Sequence, residues 1–298
     1  MISLPVESLR GEYDRLFRKR CSEFARIRLG RQLYPEYATY LDSREPEIML
    51  LWSRQVGKST GSAIKLLHGA LYEPGTLALI VSASQRQANR VQRWVTTFML
   101  MLHRPESWEQ LKELDLPDYE PDEEAKIVKR SVMALELANG SEIISVPASP
   151  ETVRGYSPNR IVLDEAAWIP DDVYEAVRPM RVMTRAQLIA CSSAGAQRGW
   201  FYEGWMNDTG LQKLYVRADQ CPIIPEREEF LEREQQKMPP AIFRREYENE
   251  FLPVSGGLFS PEMIRDMYSD AVKPMAWVPA GAGSNGHQIQ PMEWRGKR

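Results

Sequence analysis

The sequence predicts an α/β fold with a mostly parallel central sheet and helices on both faces. Short apolar runs without polar interruption recur along the chain, and such runs are typical of strands buried on both faces of a parallel sheet. Segments with helical periodicity follow several of these runs, and alternating strands and helices build parallel sheets. The chain has 298 residues, of which 43% are hydrophobic and 27% charged, so it can form a substantial core.

The first strand–turn–helix unit spans Ile48–Leu66. Its apolar run predicts a buried strand that ends at Trp52, and a turn containing the triplet Gly57-Lys58-Ser59 follows. The next helix has an apolar face at helical spacing, formed by Ala63, Leu66, Leu67 and Ala70. Backbone N–H groups of such a turn and helix N-terminus bind phosphate, the lysine can reach the β- and γ-phosphates, and the serine hydroxyl can bind Mg²⁺. The unit therefore predicts a nucleotide site.

This unit departs from the common phosphate-loop pattern at one position. The pattern G-x-x-x-x-G-K-[ST] has a glycine five residues before Gly57, where this chain has Trp52. A Gly-Lys-Ser triplet alone often arises by chance. The nucleotide prediction therefore depends on the strand before the triplet and the helix after it.

Other segments predict the rest of the sheet and its helices. Buried strands are expected at three further apolar runs: Leu77–Ala83, Arg160–Leu163 and Gln187–Cys191. The Asn139-Gly140 turn predicts a hairpin between the two runs that flank it. Helices are expected at Leu4–Leu29, Gln85–His103 and Gly199–Asp208. Two segments without periodicity are expected to be irregular or a surface excursion: Gly30–Pro46 and Arg104–Glu124.

Two adjacent carboxylates, Asp164 and Glu165, end the run that begins at Arg160. Carboxylates at the end of an apolar strand are costly to desolvate unless they have partners or a chemical role. In a doubly wound sheet the strand ends line the ligand crevice, so this pair is expected beside the phosphate loop. Asp164 is predicted to hold Mg²⁺, and Glu165 to orient and polarise an attacking water. The alternative is that the pair only caps a helix.

Small hydroxyl residues and aromatic residues suggest further roles. Ser192 and Ser193 follow the strand Gln187–Cys191, where they could sense a γ-phosphate and pass its loss to a neighbouring element. Tyrosines upstream of the phosphate loop could stack on an adenine or pack the segment onto the domain: Tyr34, Tyr37 and Tyr40. The aromatic row after the serines is more often core than a platform for bases: Trp200, Phe201, Tyr202 and Trp205.

Composition limits the class of protein. A net charge of −3 neither indicates nor excludes nucleic acid. No apolar run is long enough for a membrane span, and the first ten residues lack the form of a secretory signal. The three cysteines are widely spaced without a C-x-x-C motif, which predicts a reducing compartment and no zinc site.

Three segments, in this order and spacing, resemble motifs of the ATPase domain of large terminase subunits, the genome-packaging motors of tailed bacteriophages: SRQVGKS, LDEAAWIP and CSSAGAQRGWFYEGW. The phosphate loop of that family lacks the first glycine and carries Arg-Gln before x-Gly-Lys, as Arg54 and Gln55 do here. Trp52 therefore agrees with the resemblance, which extends over about Tyr34–Leu258. It implies a RecA-like, additional-strand P-loop NTPase with a small helical lid that contains the segment MPPAIFRREYENEFL.

The resemblance also implies roles for individual residues. Arg54 would face the γ-phosphate, Asp164 would be the magnesium aspartate, and Glu165 the catalytic carboxylate. Nucleotide contacts are implied for the whole phosphate loop: Ser53, Arg54, Gln55, Val56, Gly57, Lys58, Ser59 and Thr60. Ser59 would also bind the metal, and Ser192 and Ser193 would couple the site to its surroundings. Arg154 could reach the nucleotide of a neighbouring subunit, a role for which several other arginines compete: Arg160, Arg178, Arg181 and Arg198.

The implied function is Mg²⁺-dependent ATP hydrolysis that moves double-stranded DNA into a preformed capsid. The implied partners are a portal protein, a small terminase subunit and other copies of the chain in a ring, on the procapsid in the cytoplasm of an infected bacterium, without a membrane. A helicase-like or DNA-remodelling ATPase and a nucleotide-dependent, non-catalytic scaffold remain alternatives.

The expected organisation has four parts: a helical extension (1–33), the P-loop ATPase core (34–225), lid and linker helices (226–258), and a short helix with a flexible tail (259–298). Large terminases usually carry a C-terminal RNase H-like nuclease. No strand with a metal-binding aspartate is predicted after Gly257. Nuclease activity is therefore not expected from this chain, and such a domain could lie on another chain.

Overall fold

The computed structural model describes residues 14–102 and 126–253. Three predictions lie outside these residues: the start of the helix Leu4–Leu29, the surface excursion Arg104–Glu124, and the short helix and tail after residue 258. All the elements described below belong to one compact unit, Met1–Val254.

The centre of this unit is an eight-stranded sheet. In chain order its strands are β1 (Glu47–Trp52), β2 (Leu77–Ser82), β3 (Ile127–Arg130), β4 (Ala134–Leu137), β5 (Glu142–Pro147), β6 (Arg160–Asp164), β7 (Gln187–Ser192) and β8 (Gln212–Val216). The strand order is β3-β4-β5-β2-β6-β7-β1-β8, and only the pairs β3–β4 and β4–β5 are antiparallel. The predicted, mostly parallel sheet is confirmed, and so is the hairpin around Asn139-Gly140.

Helices cover both faces of the sheet, as predicted. Their bounds are α1 (Pro35–Asp42), α2 (Lys58–Tyr72), α3 (Gln85–Leu102), α4 (Pro150–Val153), α5 (Asp171–Thr184), α6 (Gly199–Asn207), α7 (Arg227–Lys237) and α8 (Pro240–Tyr247). One core cluster joins α1, α2, α3 and α8 to alternate residues of the strands. A second cluster joins α4, α5 and α6 to the other face. In the described part of the chain, no helix is both long and apolar enough to span a membrane.

Two sequence predictions at the N-terminal end are wrong. The segment Gly30–Pro46 contains helix α1, because Pro35 suits a first helical turn and Tyr37, Tyr40 and Leu41 are buried on one face. The expected single helix Leu4–Leu29 is interrupted at Arg20, whose backbone is extended. Residues 14–19 and Cys21–Glu23 are helical, and Phe24–Arg28 forms a π-helical turn.

The C-terminal ends of the parallel strands lie along the same side of the sheet, and we call this row of strand ends the C-terminal edge. Ser82 and Asp164, the last residues of β2 and β6, are in register with Cys191, the penultimate residue of β7. Trp52 ends β1 at the same edge, and the phosphate loop follows it directly. The residues predicted to carry chemistry are therefore brought to this edge.

Candidate functional site

The Trp52 side chain forms the base of the phosphate loop. It is fully buried and lies 5.6–5.9 Å, centroid to centroid, from the rings of three tyrosines: Tyr34, Tyr37 and Tyr40. The Tyr34 hydroxyl also donates a hydrogen bond to the Val56 carbonyl, at 2.7 Å. These tyrosines therefore pack α1 and the residue before it against the loop, and their rings are not accessible for stacking on an adenine.

The backbone of the phosphate loop has two residues in the left-handed region. Gln55 has φ of 65° and Gly57 has φ of 96°. A Cβ atom on Gly57 would lie 2.7 Å from a ring carbon of Tyr37, so this position needs glycine for both its backbone and its packing. Left-handed geometry at a non-glycine residue such as Gln55 is strained and is concentrated at functional sites.

Lys58 begins helix α2, and its buried ammonium group lies inside the phosphate loop. Its Nζ donates to the carbonyls of Trp52 at 2.7 Å and Ser53 at 2.8 Å. These carbonyls belong to the last residue of β1 and the first residue of the loop, so the lysine ties the end of the loop to its beginning. The same three donor hydrogens can be turned to phosphate oxygens.

Asp164 lies opposite the start of α2. Its Oδ1 is 3.5 Å from the Ser59 hydroxyl and 3.5 Å from the Cys191 thiol. Burial, and to a smaller extent the charge of Glu165, raise the pKa of Asp164 to about 6. Burial also raises the pKa of the Cys191 thiol well above its ordinary value, and Asp164 acts in the same direction. The sulfur therefore keeps its proton and is a donor.

Glu165 follows β6 and is held in a left-handed conformation, with φ of 55°. It is half-buried, and its carboxylate has no hydrogen-bond or salt-bridge partner within the described residues. A short 3₁₀ helix, Ala166–Trp168, follows, but the Glu165 side chain makes no capping bond to it. The alternative that this carboxylate only caps a helix is therefore wrong, and Glu165 is available for a ligand or a water.

The oxygen atoms around Asp164 are suited to Mg²⁺. Mg²⁺ prefers oxygen ligands and is usually bound by one or two protein groups together with phosphates and waters. No cluster of three or more His, Cys, Asp or Glu side chains suited to a metal occurs in the described residues. Two buried hydroxyls at this edge, Ser82 and Ser192, have no partner within the same residues.

Glu246, in helix α8, connects three parts of the site. Its Oε2 is 3.1 Å from Arg54 Nε and accepts a hydrogen bond from the Ser193 hydroxyl at 3.0 Å. Its Oε1 accepts two hydrogen bonds from Arg245, at 2.8 and 3.1 Å. The Arg54 backbone N–H also donates to the Glu246 carbonyl at 2.8 Å. Sequence reasoning missed this residue, because a single glutamate in a charged helical segment usually lies in solvent.

The two predicted coupling serines differ in their contacts. Both are buried, but Ser193 is bound to Glu246 whereas Ser192 has no partner within the residues described. The following loop also reaches the segment after α8, since Leu252 N–H donates to the Gly195 carbonyl at 3.0 Å. The loop that contains Ser193 and Gly195 is therefore hydrogen-bonded to α8 and to the residues after it.

The candidate arginines lie in different places. Arg154 is exposed in the turn after α4 and forms no salt bridge with the described part of the chain. Arg160 is at the opposite edge of the sheet, where it pairs with Glu73 at 2.6 Å, and Arg181 pairs with Glu47 at the start of β1. These two partners hold Arg160 and Arg181 away from the phosphate loop.

Two competing arginines remain, together with the aromatic row. Arg178 lies over the ring of Tyr174, and Arg198 is exposed at the start of α6. Trp200 stacks on Tyr174 at 4.1 Å, and its indole N–H donates to the Ile169 carbonyl. Trp200 is therefore packed against α5 and the segment that precedes it. Phe201 is buried in the core, whereas Tyr202 and Trp205 are partly buried against Phe251 and Tyr215.

Comparisons with known proteins agree with this geometry. Large terminase subunits of Thermus phage G20c and Thermus virus P23-45 are each 26% identical to this chain over 229 residues, covering 70% of it. The chain spans only 46% of the length of either relative.

Among solved structures, the Thermus phage P74-26 large terminase ATPase domain matches with a TM-score of 0.62 and 21% identity, covering 78% of this chain and 99% of that one. The bacteriophage HK97 large terminase matches with a TM-score of 0.57 and 17% identity, over 74% of this chain and 51% of that one. These matches show that the fold is the RecA-like ATPase fold of large terminases.

The match to a family model extends beyond the phosphate loop and the Asp164-Glu165 pair. The family described as "Terminase large subunit, T4likevirus-type, N-terminal" matches residues 49–266, which is well over half of the chain. This chain belongs to that family of large terminase subunits.

Proposed function

We propose that the chain is an ATP-hydrolysing motor that moves double-stranded viral DNA into a preformed capsid. One observation carries the catalytic part of the proposal: the C-terminal edge brings the phosphate loop and the two carboxylates together, with Ser59 and Asp164 3.5 Å apart. Family membership supports the packaging role.

In this proposal ATP binds along the phosphate loop, residues 53–60. The Lys58 ammonium group leaves the Trp52 and Ser53 carbonyls and donates its hydrogen bonds to phosphate oxygens instead. ATP binding therefore breaks the contacts by which Lys58 holds the empty loop. Two further solved structures, of the large terminase from a thermophilic bacteriophage, are complexes with ATP-gamma-S and with ADP. They support nucleotide binding by this fold.

Ser59 and Asp164 would hold Mg²⁺ through their oxygens. When bound, the ion supplies positive charge that neutralises the phosphates. Asp164 suits this role because its carboxylate is buried and fixed by two donors, whereas a mobile surface carboxylate would have to be ordered first.

Glu165 is the proposed catalytic carboxylate. Its position after β6 and its lack of a partner among the described residues leave both oxygens available to orient and polarise a water. Arg54 would stabilise negative charge on the γ-phosphate from within the same subunit. Helices α7 and α8 would form the lid, connected to the site through Glu246.

The partners proposed are double-stranded DNA, a portal protein, a small terminase subunit and further copies of the chain in a ring. The place of action is the procapsid in the cytoplasm of the infected bacterium. Arg154 would complete the site of a neighbouring copy, because it is exposed and forms no salt bridge within the described segments.

Two variants test the chemistry. Glu165→Gln should bind ATP normally, and its hydrolysis rate should fall by about 10²–10⁴-fold, because only the orientation and polarisation of the attacking water are lost. Lys58→Ala should weaken ATP binding as well. Glu175→Gln, an exposed carboxylate on α5, is the matched control and should retain parental hydrolysis.

Adding portal and DNA tests the motor. Hydrolysis that rises with both components, and is absent in Glu165→Gln, supports a packaging motor. Parental hydrolysis by Glu165→Gln would contradict the catalytic assignment. ATP binding by the wild-type chain without hydrolysis under any of these conditions would instead favour a nucleotide-dependent scaffold.

A further inference from the structure

Cys191 is opposite Asp164 in the sheet. The two residues are partners in the register of β6 and β7, so their side chains lie on the same face. That face is covered by α2, and the Cys191 side chain is completely buried there. The thiol is 3.5 Å from Asp164 Oδ1.

The thiol is one member of a chain of four polar side chains. The Ser62 hydroxyl lies 3.7 Å from the sulfur, and the Tyr40 hydroxyl lies 3.3 Å from the Ser62 oxygen. Each of these residues is on a different element: α1 carries the tyrosine, α2 the serine and β7 the cysteine. These four side chains therefore link helix α1, which packs against the phosphate loop, to the Asp164 carboxylate at the end of β6.

The direction of these hydrogen bonds follows from the carboxylate. An ionised carboxylate can only accept, so the Cys191 S–H must point to Asp164. The sulfur can then only accept from Ser62, and the Ser62 oxygen is left to accept from Tyr40. All three hydrogens point toward Asp164.

We propose that Cys191 is a positioning residue for Asp164: its thiol, bonded to Oδ1, fixes the orientation of the carboxylate beside Ser59. This inference rests on the proposed function of Asp164. It fits the contacts of the carboxylate, because both hydrogen bonds from described residues go to Oδ1 and none goes to Oδ2.

A thiol has the right chemistry for this position. Cys191 shares its face with Ile189 and Leu50, which are apolar residues that pack under α2. A free cysteine packs as a small apolar residue, so it is compatible with this layer. A thiol fills that space and is a weak donor, so it orients the carboxylate while withdrawing less of its charge than a hydroxyl would.

The experiment distinguishes an effect of Cys191 on Mg²⁺ binding from an effect on folding. Cys191→Ala and Cys191→Val remove the donor, and the valine side chain fills the space. Cys191→Ser keeps a donor. The measurements are the affinity of fluorescent ADP with Mg²⁺ and with EDTA, and the Mg²⁺ concentration that gives half-maximal hydrolysis. Cys21→Ala, another buried thiol remote from Asp164, is the control for loss of a buried sulfur.

We expect Cys191→Ala and Cys191→Val to need about 10-fold more Mg²⁺, as is usual when a supporting contact to a metal ligand is lost. Their affinity for ADP in EDTA should stay at the wild-type value. Cys191→Ser should remain within about threefold of wild type, and Cys21→Ala should not change the requirement.

The possible outcomes are distinct. If Cys191→Val folds and has the wild-type Mg²⁺ requirement, the positioning role is wrong. If Cys191→Ala is too unstable to measure, the comparison of Cys191→Val with Cys191→Ser decides. If wild-type protein binds ADP equally in Mg²⁺ and EDTA and does not hydrolyse ATP, the proposed function itself fails, whatever the cysteine variants do.

Discussion

The Glu246 carboxylate binds the Arg54 guanidinium, with 3.1 Å between Oε2 and Nε. Glu246 is almost completely buried, whereas the Arg54 side chain is 59% exposed. The acid is therefore fixed and the arginine can move. Because Arg54 is the proposed γ-phosphate contact, ATP must compete with Glu246 for it. Nucleotide binding and the position of α8 should then be linked.

The first prediction concerns this competition. Glu246→Gln removes the charge but keeps a similar shape, so Arg54 is released before ATP arrives. Affinity for ATPγS should rise by about two- to fivefold, the modest effect expected for an exposed partner. Affinity for ADP should not change, because ADP has no γ-phosphate. Isothermal titration of both nucleotides measures the difference.

The control for this variant is Glu250→Gln. Glu250 pairs with Arg244 at 3.2 Å, and both side chains are half exposed. Removing that pair should leave both affinities unchanged. Equal tightening of ATPγS and ADP by Glu246→Gln would show that Arg54 does not discriminate the γ-phosphate.

The second prediction concerns Trp52. Replacing it by glycine would restore the common phosphate-loop pattern, yet the structure predicts a large loss of stability. The indole fills a space between three tyrosines, and loss of a buried Trp side chain costs about 3–5 kcal/mol. Trp52→Phe should cost less than Trp52→Gly, because phenylalanine fills most of the space and the indole N–H that is lost has no partner in the described chain. Urea denaturation measures both, and a Trp52→Gly protein as stable as wild type would contradict this account.

The sequence and the structure differ most where tertiary packing decides. Strands such as β1 and β6 are predictable because a strand that is buried on both faces has apolar residues at consecutive positions. Helix α1 had a sequence signal in Pro35 and the helical spacing of Tyr37, Tyr40 and Leu41, but it is short, and its tyrosines are buried only because they pack on Trp52. Glu246 could not be found from sequence, because its burial depends on α8 docking beside the phosphate loop.

The third prediction is a pH effect on stability from His68. This buried ring is 2.6 Å, through Nε2, from the Phe17 carbonyl. Burial lowers its pKa from 6.5 to about 4; Arg160 and Lys65 act in the same direction, whereas the bond to Phe17 and the charge of Glu73 oppose it. The unfolded chain therefore binds the proton first as pH falls. The stability that neutral His68 contributes is present above pH 6.5 and is lost as the pH falls to about 4.

His68→Gln, which keeps a donor but cannot titrate, should remove this dependence. Between pH 7 and pH 4.5 the wild type should lose about 2 kcal/mol more than the variant, measured by urea denaturation. Asp164 acts in the opposite direction, since its raised pKa favours the folded state as pH falls. Both proteins contain Asp164, so the difference between the two pH curves reports His68. Parallel curves would contradict the prediction.

The fourth prediction concerns the active site between subunits. Arg154 lies at the end of the short helix α4, exposed and without a salt bridge in the described parts of the chain. An arginine supplied by a neighbour can raise phosphoryl-transfer rates by about 10³–10⁵. If Arg154 has this role, hydrolysis per subunit should rise with protein concentration or on a portal ring. Arg154→Ala should bind ATP normally and stay at the slow rate of the monomer.

Mixing two inactive variants tests the trans role directly. Lys58→Ala protein cannot hydrolyse ATP but retains Arg154, so it can donate this arginine to an Arg154→Ala neighbour and restore part of the activity. Arg54→Ala is the control, because Arg54 lies in the phosphate loop and acts within its own subunit; mixing it with Lys58→Ala should give no recovery. A mixture as inactive as its components, under conditions where wild-type rings form, would contradict the role of Arg154. Arg178 or Arg198 would then be the next to test, since Arg160 and Arg181 are held by Glu73 and Glu47.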